Sequence, residues 1–207
     1  MRILNLYAGI GGNRKLWGDE HEITAIEYVP EIAEIYKEYF PNDTVIVTDA
    51  HEYLLKHYKE FDFIWSSPPC PTHSDIRRCG VHRGQYEAKY PDMTLYQEII
   101  LLNNFGRAKF VVENVIPYYK PLIPPTAEIG RHYFWSNFYI PEIKTKEKGT
   151  IENMSGSKTQ FGFNIKEKNL PGIRKAQVLR NLVNPEIGKL LFELAFNFEF
   201  EQTKLAL

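Results

Sequence analysis

Cysteine is scarce in this sequence: the 207 residues include only two, Cys70 and Cys79, and no C-x-x-C pair. Because the six histidines are scattered as well, no zinc-binding spacing is present, and we expect no metal site. The chain also lacks an apolar signal segment at its start and an apolar run long enough to cross a bilayer. We therefore expect a cytoplasmic protein of a reducing compartment, without a structural disulfide and without contact to a membrane.

Net charge is nearly absent too, because 25 basic residues are balanced by 26 acidic ones. This balance is not typical of proteins whose overall charge draws them to nucleic acids or membrane surfaces. The average hides one basic region. Residues 144–175 contain eight basic and three acidic side chains in a polar stretch without clear hydrophobic periodicity.

Short apolar segments alternate with helix-like segments along most of the chain. Strands are predicted at its start and near residues 23–28, 44–50, 61–67, 109–115 and 131–140, and a closing helix near 184–200. Strands that alternate with helices predict an α/β fold, with a mostly parallel sheet covered by helices on both faces. The length suits one main domain with at most a small appendage.

Polar groups follow three successive predicted strands. Gly9, Gly11 and Gly12 lie between the first strand and the next helix, Glu27 ends the second strand, and Asp49 ends the third. Taken singly, the glycines are explained by a plain strand-to-helix turn, and each acidic residue is explained by a solvated position on the surface. As an ordered set at the carboxyl edge of a parallel sheet, they predict a site for a nucleoside cofactor.

Cys70 follows two prolines at the end of the fourth strand, and Glu113 ends the fifth strand in "FVVENV". An unpaired cysteine is most often a small buried hydrophobe. Here the prolines fix the backbone where it leaves the sheet, which favours a thiol held in a set direction. The pair therefore suggests a nucleophile that requires a lowered pKa and a neighbouring acid for a ring nitrogen.

The order of the motifs resembles that of the cytosine-5 DNA methyltransferases. The resemblance rests on "NLYAGIGG", "IEY", "TDA", "SSPPCPTHS", "FVVENV", "RHYFWSN" and "QVLRNLVNPEIG", and extends from residue 3 to about residue 195. The proline–cysteine loop and the glutamate–asparagine–valine strand end are its most specific parts. It implies a Rossmann-like fold that binds S-adenosylmethionine.

The resemblance assigns catalytic roles to Cys70, Glu113 and Arg131. Cys70 would add to C6 of cytosine, Glu113 would hold or protonate N3, and Arg131 would support the ring oxygen and the catalytic loop. The residues implied in binding S-adenosylmethionine are Tyr7, Ala8, Gly9, Gly11, Gly12, Glu27, Tyr28, Asp49, Ala50, Pro69, Leu95, Asn181 and Val183.

The expected partner is double-stranded DNA, from which the target cytosine is flipped out. After Cys70, a loop with Ser74, Arg77, Arg78 and Arg83 would follow phosphates, unless it is an ordinary solvated loop. We divide the chain into a catalytic domain at 1–137, a small target-recognition region at 138–175 and a C-terminal helix at 176–207. In the recognition region, the residues expected to contact DNA are Gln160, Asn164, Lys166 and Lys168.

A recognition region this short suggests a short target site or help from a partner subunit. It also suggests a prokaryotic or phage-encoded protein. The alternative for residues 138–175 is a plain basic linker. The sequence also departs from the family, with Asn5 and Pro71 where aspartate and glutamine are usual, Ile129 near one arginine of the usual pair, and Arg180 for a glycine. Two other functions stay open. The same chemistry could act on RNA, or the fold could be kept by a catalytically silent nucleic-acid-binding protein.

Overall fold

A computed structural model of the chain describes residues 1–143 and 159–196. Seven strands form its main sheet, in the order β3-β2-β1-β4-β5-β7-β6. They are β1 (Arg2–Leu6), β2 (Glu22–Glu27), β3 (Thr44–Val47), β4 (Phe63–Ser66), β5 (Lys109–Val115), β6 (Ala127–Ile129) and β7 (His132–Ser136). The first five strands run parallel, whereas β7 is antiparallel to both β5 and β6.

Six helices accompany the sheet in the described part of the chain. They are α1 (Pro30–Tyr39), α2 (Ala50–His57), α3 (Asp75–His82), α4 (Thr94–Phe105), α5 (Lys175–Arg180) and α6 (Pro185–Ala195). Pro30 opens α1, as the sequence predicts, since a proline in the first turn removes no helical hydrogen bond. No helix in residues 1–143 or 159–196 is long and apolar enough to span a bilayer.

The sheet is buried on both faces. On one face, Leu4 and Ile64 pack in a cluster with Leu54 of α2 and Ile99 of α4. On the other face, a second cluster joins strand residues to α6, and a third joins Ala25 to α1. These clusters confirm the predicted arrangement, because the near-continuous apolar runs of β1 and β4 present side chains to both layers.

Three local features differ from the sequence-based prediction. After the glycine turn the chain forms a short 3-10 turn, Asn13–Leu16, instead of a long helix. The segment after Cys70, expected as a loop, contains the helix α3, whose N-cap is Ser74. A further short strand, β6, precedes β7 and pairs with it.

The basic region is described only from residue 159 onward. Thr159–Gln160 (β8) and Phe163–Asn164 (β9) form a small antiparallel hairpin. Phe163, Ile165 and Leu170 are buried in the cluster formed with α1. Residues 159–175 therefore contribute to the core in addition to any role at the surface.

Candidate active site

The turn after β1 provides an open approach to the backbone. Tyr7, Gly9 and Gly11 have positive φ angles of 54°, 55° and 85°, and a tight turn results. A Cβ placed on Gly9 would meet no atom within 4 Å, so a ligand can reach this backbone. At Gly12, a Cβ would lie 2.5 Å from the carbonyl oxygen of Val183, and only glycine fits there.

Glu27 is tied to this turn by backbone hydrogen bonds. Its Oε2 accepts the Gly9 N–H at 2.9 Å, and its Oε1 accepts the Val29 N–H at 2.9 Å. Burial raises the pKa of Glu27, while these backbone donors lower it. Each carboxylate oxygen keeps a second lone pair, so the buried carboxyl can also accept hydrogen bonds from a ribose.

The other residues predicted to bind a cofactor lie around this edge. Asp49 is exposed and caps α2, since its Oδ1 accepts the Glu52 N–H at 2.8 Å. Tyr28 is 71% exposed at the end of β2, where its ring is free to stack on a base. Ala8, Ala50 and Leu95 are buried, whereas Pro69 and Asn181 are exposed.

A buried acid that the sequence analysis did not single out links three elements at the same edge. Glu98 of α4 is fully buried. Its Oε1 accepts the Tyr7 hydroxyl at 2.7 Å and lies 3.2 Å from His51 Nδ1, and its Oε2 accepts the Ser66 hydroxyl at 2.5 Å. The hydrogen bond to Glu98 raises the pKa of His51, and burial followed by the charge of Glu98 raises that of Tyr7. The sequence signal that could have identified Glu98 is that a charged residue stands on the apolar face of an amphipathic helix.

The loop that carries Cys70 is fastened to β5. Asn114 is buried, and its Nδ2 donates to the carbonyl of Pro68 at 2.9 Å, while its Oδ1 accepts the Val115 N–H at 3.0 Å. Asn114 was not among the predicted site residues, although it stands beside Glu113 in the sequence. Its amide fixes the two-proline turn relative to the end of β5. This agrees with the expectation that the prolines help to hold the Cys70 thiol in a set direction.

Cys70 and Glu113 are brought together, as predicted, at the ends of adjacent strands β4 and β5. Burial, and then the charge of Glu113, raises the pKa of the Cys70 thiol to about 11. This differs from the expectation of a lowered pKa, because the partly buried thiol faces an acid and little solvent.

The predicted partner Arg131 is exposed and precedes β7. Within residues 1–143 and 159–196, its guanidinium has no hydrogen-bond or ion-pair partner. Its neighbour His132 instead approaches the acid, with Nε2 at 3.5 Å from Glu113 Oε1. The role predicted for Arg131 stays a prediction.

The arginines after Cys70 already have protein contacts in α3 and its C-terminal loop. Ser74 Oγ accepts the Arg77 N–H at 3.3 Å, Arg77 lies over the Tyr86 ring, and Arg78 pairs with Asp75 at 2.7 Å. Arg83 is exposed at the C-terminal end of α3. Exposed ion pairs contribute little, so phosphate could replace the partner of Arg78.

His73 anchors the same segment from beneath. Its ring is 1% exposed, with Nδ1 at 2.5 Å from the Tyr119 hydroxyl, and its backbone bonds both Cys70 and Tyr118. Burial lowers the pKa of His73, which favours the neutral ring. The loop that carries Cys70 is thereby held against the connection that follows β5.

Two of the residues predicted for target recognition, Asn164 and Lys168, contact α1. Tyr39 bonds the backbone of Asn164, whose side-chain oxygen accepts the Lys166 N–H at 3.1 Å. Lys168 forms an ion pair with Glu38. In the described part of the chain, none of these contacts reaches the loop after Cys70. Gln160 lies in β8, and its DNA contact stays a prediction, as does the division into three regions.

Comparison with known proteins identifies a family. The family model of the C-5 cytosine-specific DNA methylases matches residues 1–119, which include the glycine turn, Cys70 and Glu113. No curated protein matches the chain significantly.

Solved structures also resemble it. A DNMT2 mutant from Spodoptera frugiperda is 25% identical with a TM-score of 0.39, over 55% of this chain and 35% of that one. The methyltransferase yhhF from Escherichia coli is 17% identical with a TM-score of 0.42, over 65% and 73%. An SAM-dependent methyltransferase from Agrobacterium tumefaciens is 11% identical with a TM-score of 0.38, over 57% and 40%.

The strand order and the family match confirm the fold class predicted from the sequence, a Rossmann-like fold of S-adenosylmethionine-dependent methyltransferases. The match spans more than half of the 207 residues and includes both Cys70 and Glu113. The chain belongs to the family of C-5 cytosine-specific DNA methylases.

Proposed function

We propose that the protein methylates C5 of a flipped-out cytosine in double-stranded DNA, through a covalent adduct with Cys70. The observation that carries the proposal is the pairing of a thiol and a buried carboxyl at adjacent strand ends, next to an open glycine turn. A protein that only binds nucleic acid has no use for this pair. The family match covers the same residues.

The residues at the carboxyl edge fit S-adenosylmethionine. The open space at Gly9 suits the close approach of a ligand, the Glu27 carboxylate suits ribose hydroxyls, and Tyr28 offers an exposed ring for the base. Asp49 keeps an oxygen free of its capping bond for an amino group. When bound, this cofactor supplies an electrophilic methyl group.

The chain's own residues prepare the pyrimidine for methylation. As the Cys70 thiol loses its proton to water, its sulfur adds to C6, and the electron pair of the C5–C6 double bond moves toward C5. Glu113 supports or supplies a proton at N3, so that negative charge does not accumulate on the ring, an effect worth about 10²- to 10⁴-fold in rate. After C5 carries the methyl group, transfer of the C5 proton to water restores the double bond and expels Cys70 as the thiolate.

The raised pKa of Cys70 agrees with a nucleophile that ionises only in the complex. In the free protein, the thiol faces the negative charge of Glu113. When Glu113 takes up a proton from solvent as the base binds and shares it with N3, that charge is reduced and the thiolate becomes easier to form. Base binding and nucleophile activation are thereby coupled, which limits side reactions of an unoccupied site.

Trapping with 5-fluorocytosine tests the proposal. Duplex DNA and RNA with this base at every cytosine are incubated with the protein and S-adenosylmethionine, and a shifted band that survives denaturation is measured. The fluorine at C5 cannot leave as a proton does, so an adduct accumulates. We expect an adduct with DNA for the wild type and for Cys79→Ser, and none for Cys70→Ser.

The outcomes separate the three possible functions. An adduct with RNA and not with DNA would replace the DNA assignment with the RNA alternative. If neither nucleic acid is trapped although both bind, the silent binding protein is favoured. Cys70→Ser must still bind S-adenosylmethionine with unchanged affinity; an equal loss of cofactor binding would show that Cys70 is structural.

A further inference from the structure

His132 lies beside Glu113 across the antiparallel pair of β5 and β7. In the register of this pair, Glu113 is opposite Phe134, and Val115 is opposite His132. Because side chains alternate along a strand, His132 and Glu113 share one face of the sheet in neighbouring pairs. Their placement follows from the strand register and does not depend on a flexible loop.

The contact joins a buried acid to a more accessible base. The Glu113 side chain is 10% exposed and that of His132 is 37% exposed, with Nε2 at 3.5 Å from Oε1. This separation lies within the range of an ion pair and is longer than the roughly 2.7–3.2 Å of an N–H···O hydrogen bond. Catalytic hydrogen bonds are often long in substrate-free proteins and shorten when substrate binds.

We propose that His132 is the positioning residue for Glu113, holding Oε1 through Nε2 and leaving Oε2 for N3 of the cytosine. The proposal rests on the function proposed above. A free carboxyl can rotate about its last bond and present either oxygen to the ring. A partner on the same sheet face removes this freedom, which favours the reactive geometry.

The donor at position 132 would also act on the nucleophile. The charge of Glu113 contributes to the raised pKa of Cys70. An Nε2–H group close to Oε1 reduces the field of the carboxylate at the thiol, and thus makes the thiolate easier to form. Loss of His132 is therefore expected to lower the rate at which the Cys70 thiol reacts, even in the absence of nucleic acid.

Alkylation of Cys70 by iodoacetamide measures this effect without methyl transfer. All variants carry Cys79→Ser, so that Cys70 is the one thiol modified. We expect Glu113→Gln to speed alkylation and His132→Leu, which removes the donor, to slow it, each by about two- to fivefold, whereas His132→Arg, which keeps a donor, is no slower than the parent. In the Glu113→Gln background, His132→Leu should have no further effect.

Methyl transfer with saturating S-adenosylmethionine gives the second readout. We expect His132→Leu to lower kcat by about tenfold or more, with the KM for the cofactor unchanged, and His132→Arg to retain most of the rate. Thermal melting checks the fold, and His132→Val is used if His132→Leu does not fold.

The double-mutant cycle decides between positioning and plain packing. Equal effects of His132→Leu in the parent and in Glu113→Gln would overturn the proposal, and so would equal loss in the arginine and leucine variants. If the parent transfers no methyl group to cytosine, the proposed function fails. The alkylation cycle would still decide whether His132 acts on Glu113.

Discussion

At the scale of single residues, Glu27 has two tasks. Both of its carboxylate oxygens accept backbone N–H groups, from Gly9 and from Val29, and these bonds shape the turn. The same oxygens are the acceptors proposed for the ribose. A change at Glu27 is therefore expected to affect the shape of the site as well as the direct contact with the cofactor.

Replacement of Glu27 by glutamine should weaken cofactor binding. The amide has one acceptor oxygen, so one of the two backbone N–H groups loses its partner. For a lost hydrogen bond to a charged group we expect about 1.5–3 kcal/mol, which corresponds to roughly a 10- to 150-fold higher Kd for S-adenosylmethionine in calorimetry. Glu34→Gln, on the exposed side of α1, is the matched control and should leave the Kd unchanged.

The same carboxyl predicts a pH dependence. Burial raises the pKa of Glu27, so it takes up a proton at higher pH than an exposed glutamate as the solution becomes more acidic. The ionised form is the better acceptor for ribose hydroxyls. Cofactor affinity should therefore fall with decreasing pH from above the ordinary range of glutamate, in calorimetric titrations across pH 4 to 8. An affinity that is constant over this range would remove Glu27 from the contact.

At the scale of elements, a buried ion pair fastens the turn after the glycines to the end of α1. Arg14 and Asp43 have side chains that are each 2% exposed, with Nε and Oδ2 at 2.9 Å. The hydroxyl of Tyr36 also donates to Asp43 Oδ2 at 2.8 Å, and Arg14 lies over the ring of Phe40. The 3-10 turn is thus held in place by charge and by aromatic packing.

Replacement of Arg14 by methionine should destabilise the protein strongly, because it leaves Asp43 buried without its cation. We expect the free energy of unfolding to decrease by about 3–5 kcal/mol in urea denaturation. Arg2→Met is the matched control: its guanidinium is 49% exposed and pairs with surface acids, so we expect a decrease below about 1 kcal/mol. Similar decreases in both variants would contradict a special role for the buried pair.

At the scale of the whole molecule, the hairpin of β8 and β9 packs into the hydrophobic core beside α1. Phe163 is fully buried, with its ring edge-on to Tyr39 at 4.7 Å and Lys15 over its face. Lys15 also donates to the carbonyl of Phe161. Deletion of residues 138–175 would remove these contacts, so it cannot separate target recognition from folding. Point variants are required instead.

Replacement of Phe163 by alanine should lower the free energy of unfolding by about 3–5 kcal/mol, as expected for a buried aromatic side chain. The adjacent exposed residues are predicted to act on DNA. Lys166→Gln should cost little stability but weaken DNA binding about equally on all sequences and reduce its salt dependence. Binding is measured by fluorescence anisotropy over a range of salt; an unchanged salt slope would remove Lys166 from the DNA interface.

Much of the architecture follows from the sequence by itself. Short apolar segments alternate with amphipathic segments, and this pattern predicted the parallel strands and the helices between them. The prediction was possible because each segment has the periodicity of either a strand or a helix, and because the links between segments are short. The carboxyl ends of parallel strands lie at the same edge of a sheet. The sequence therefore predicted that this edge carries Gly9 to Gly12, Glu27, Cys70 and Glu113. The effect of the Glu113 charge on the Cys70 thiol and the position of Glu27 at the glycine turn agree with that prediction.

Only the tertiary structure decided which neighbours these residues have. Glu98 and Asn114 acquire their partners from distant segments, and the contact of His132 with Glu113 depends on the register of an antiparallel pair. The raised pKa of Cys70 results from burial and from the charge of Glu113, two properties that have no sequence periodicity. Local patterns specify elements and their ends, whereas desolvation and side-chain contacts across the sheet exist only once those elements have packed.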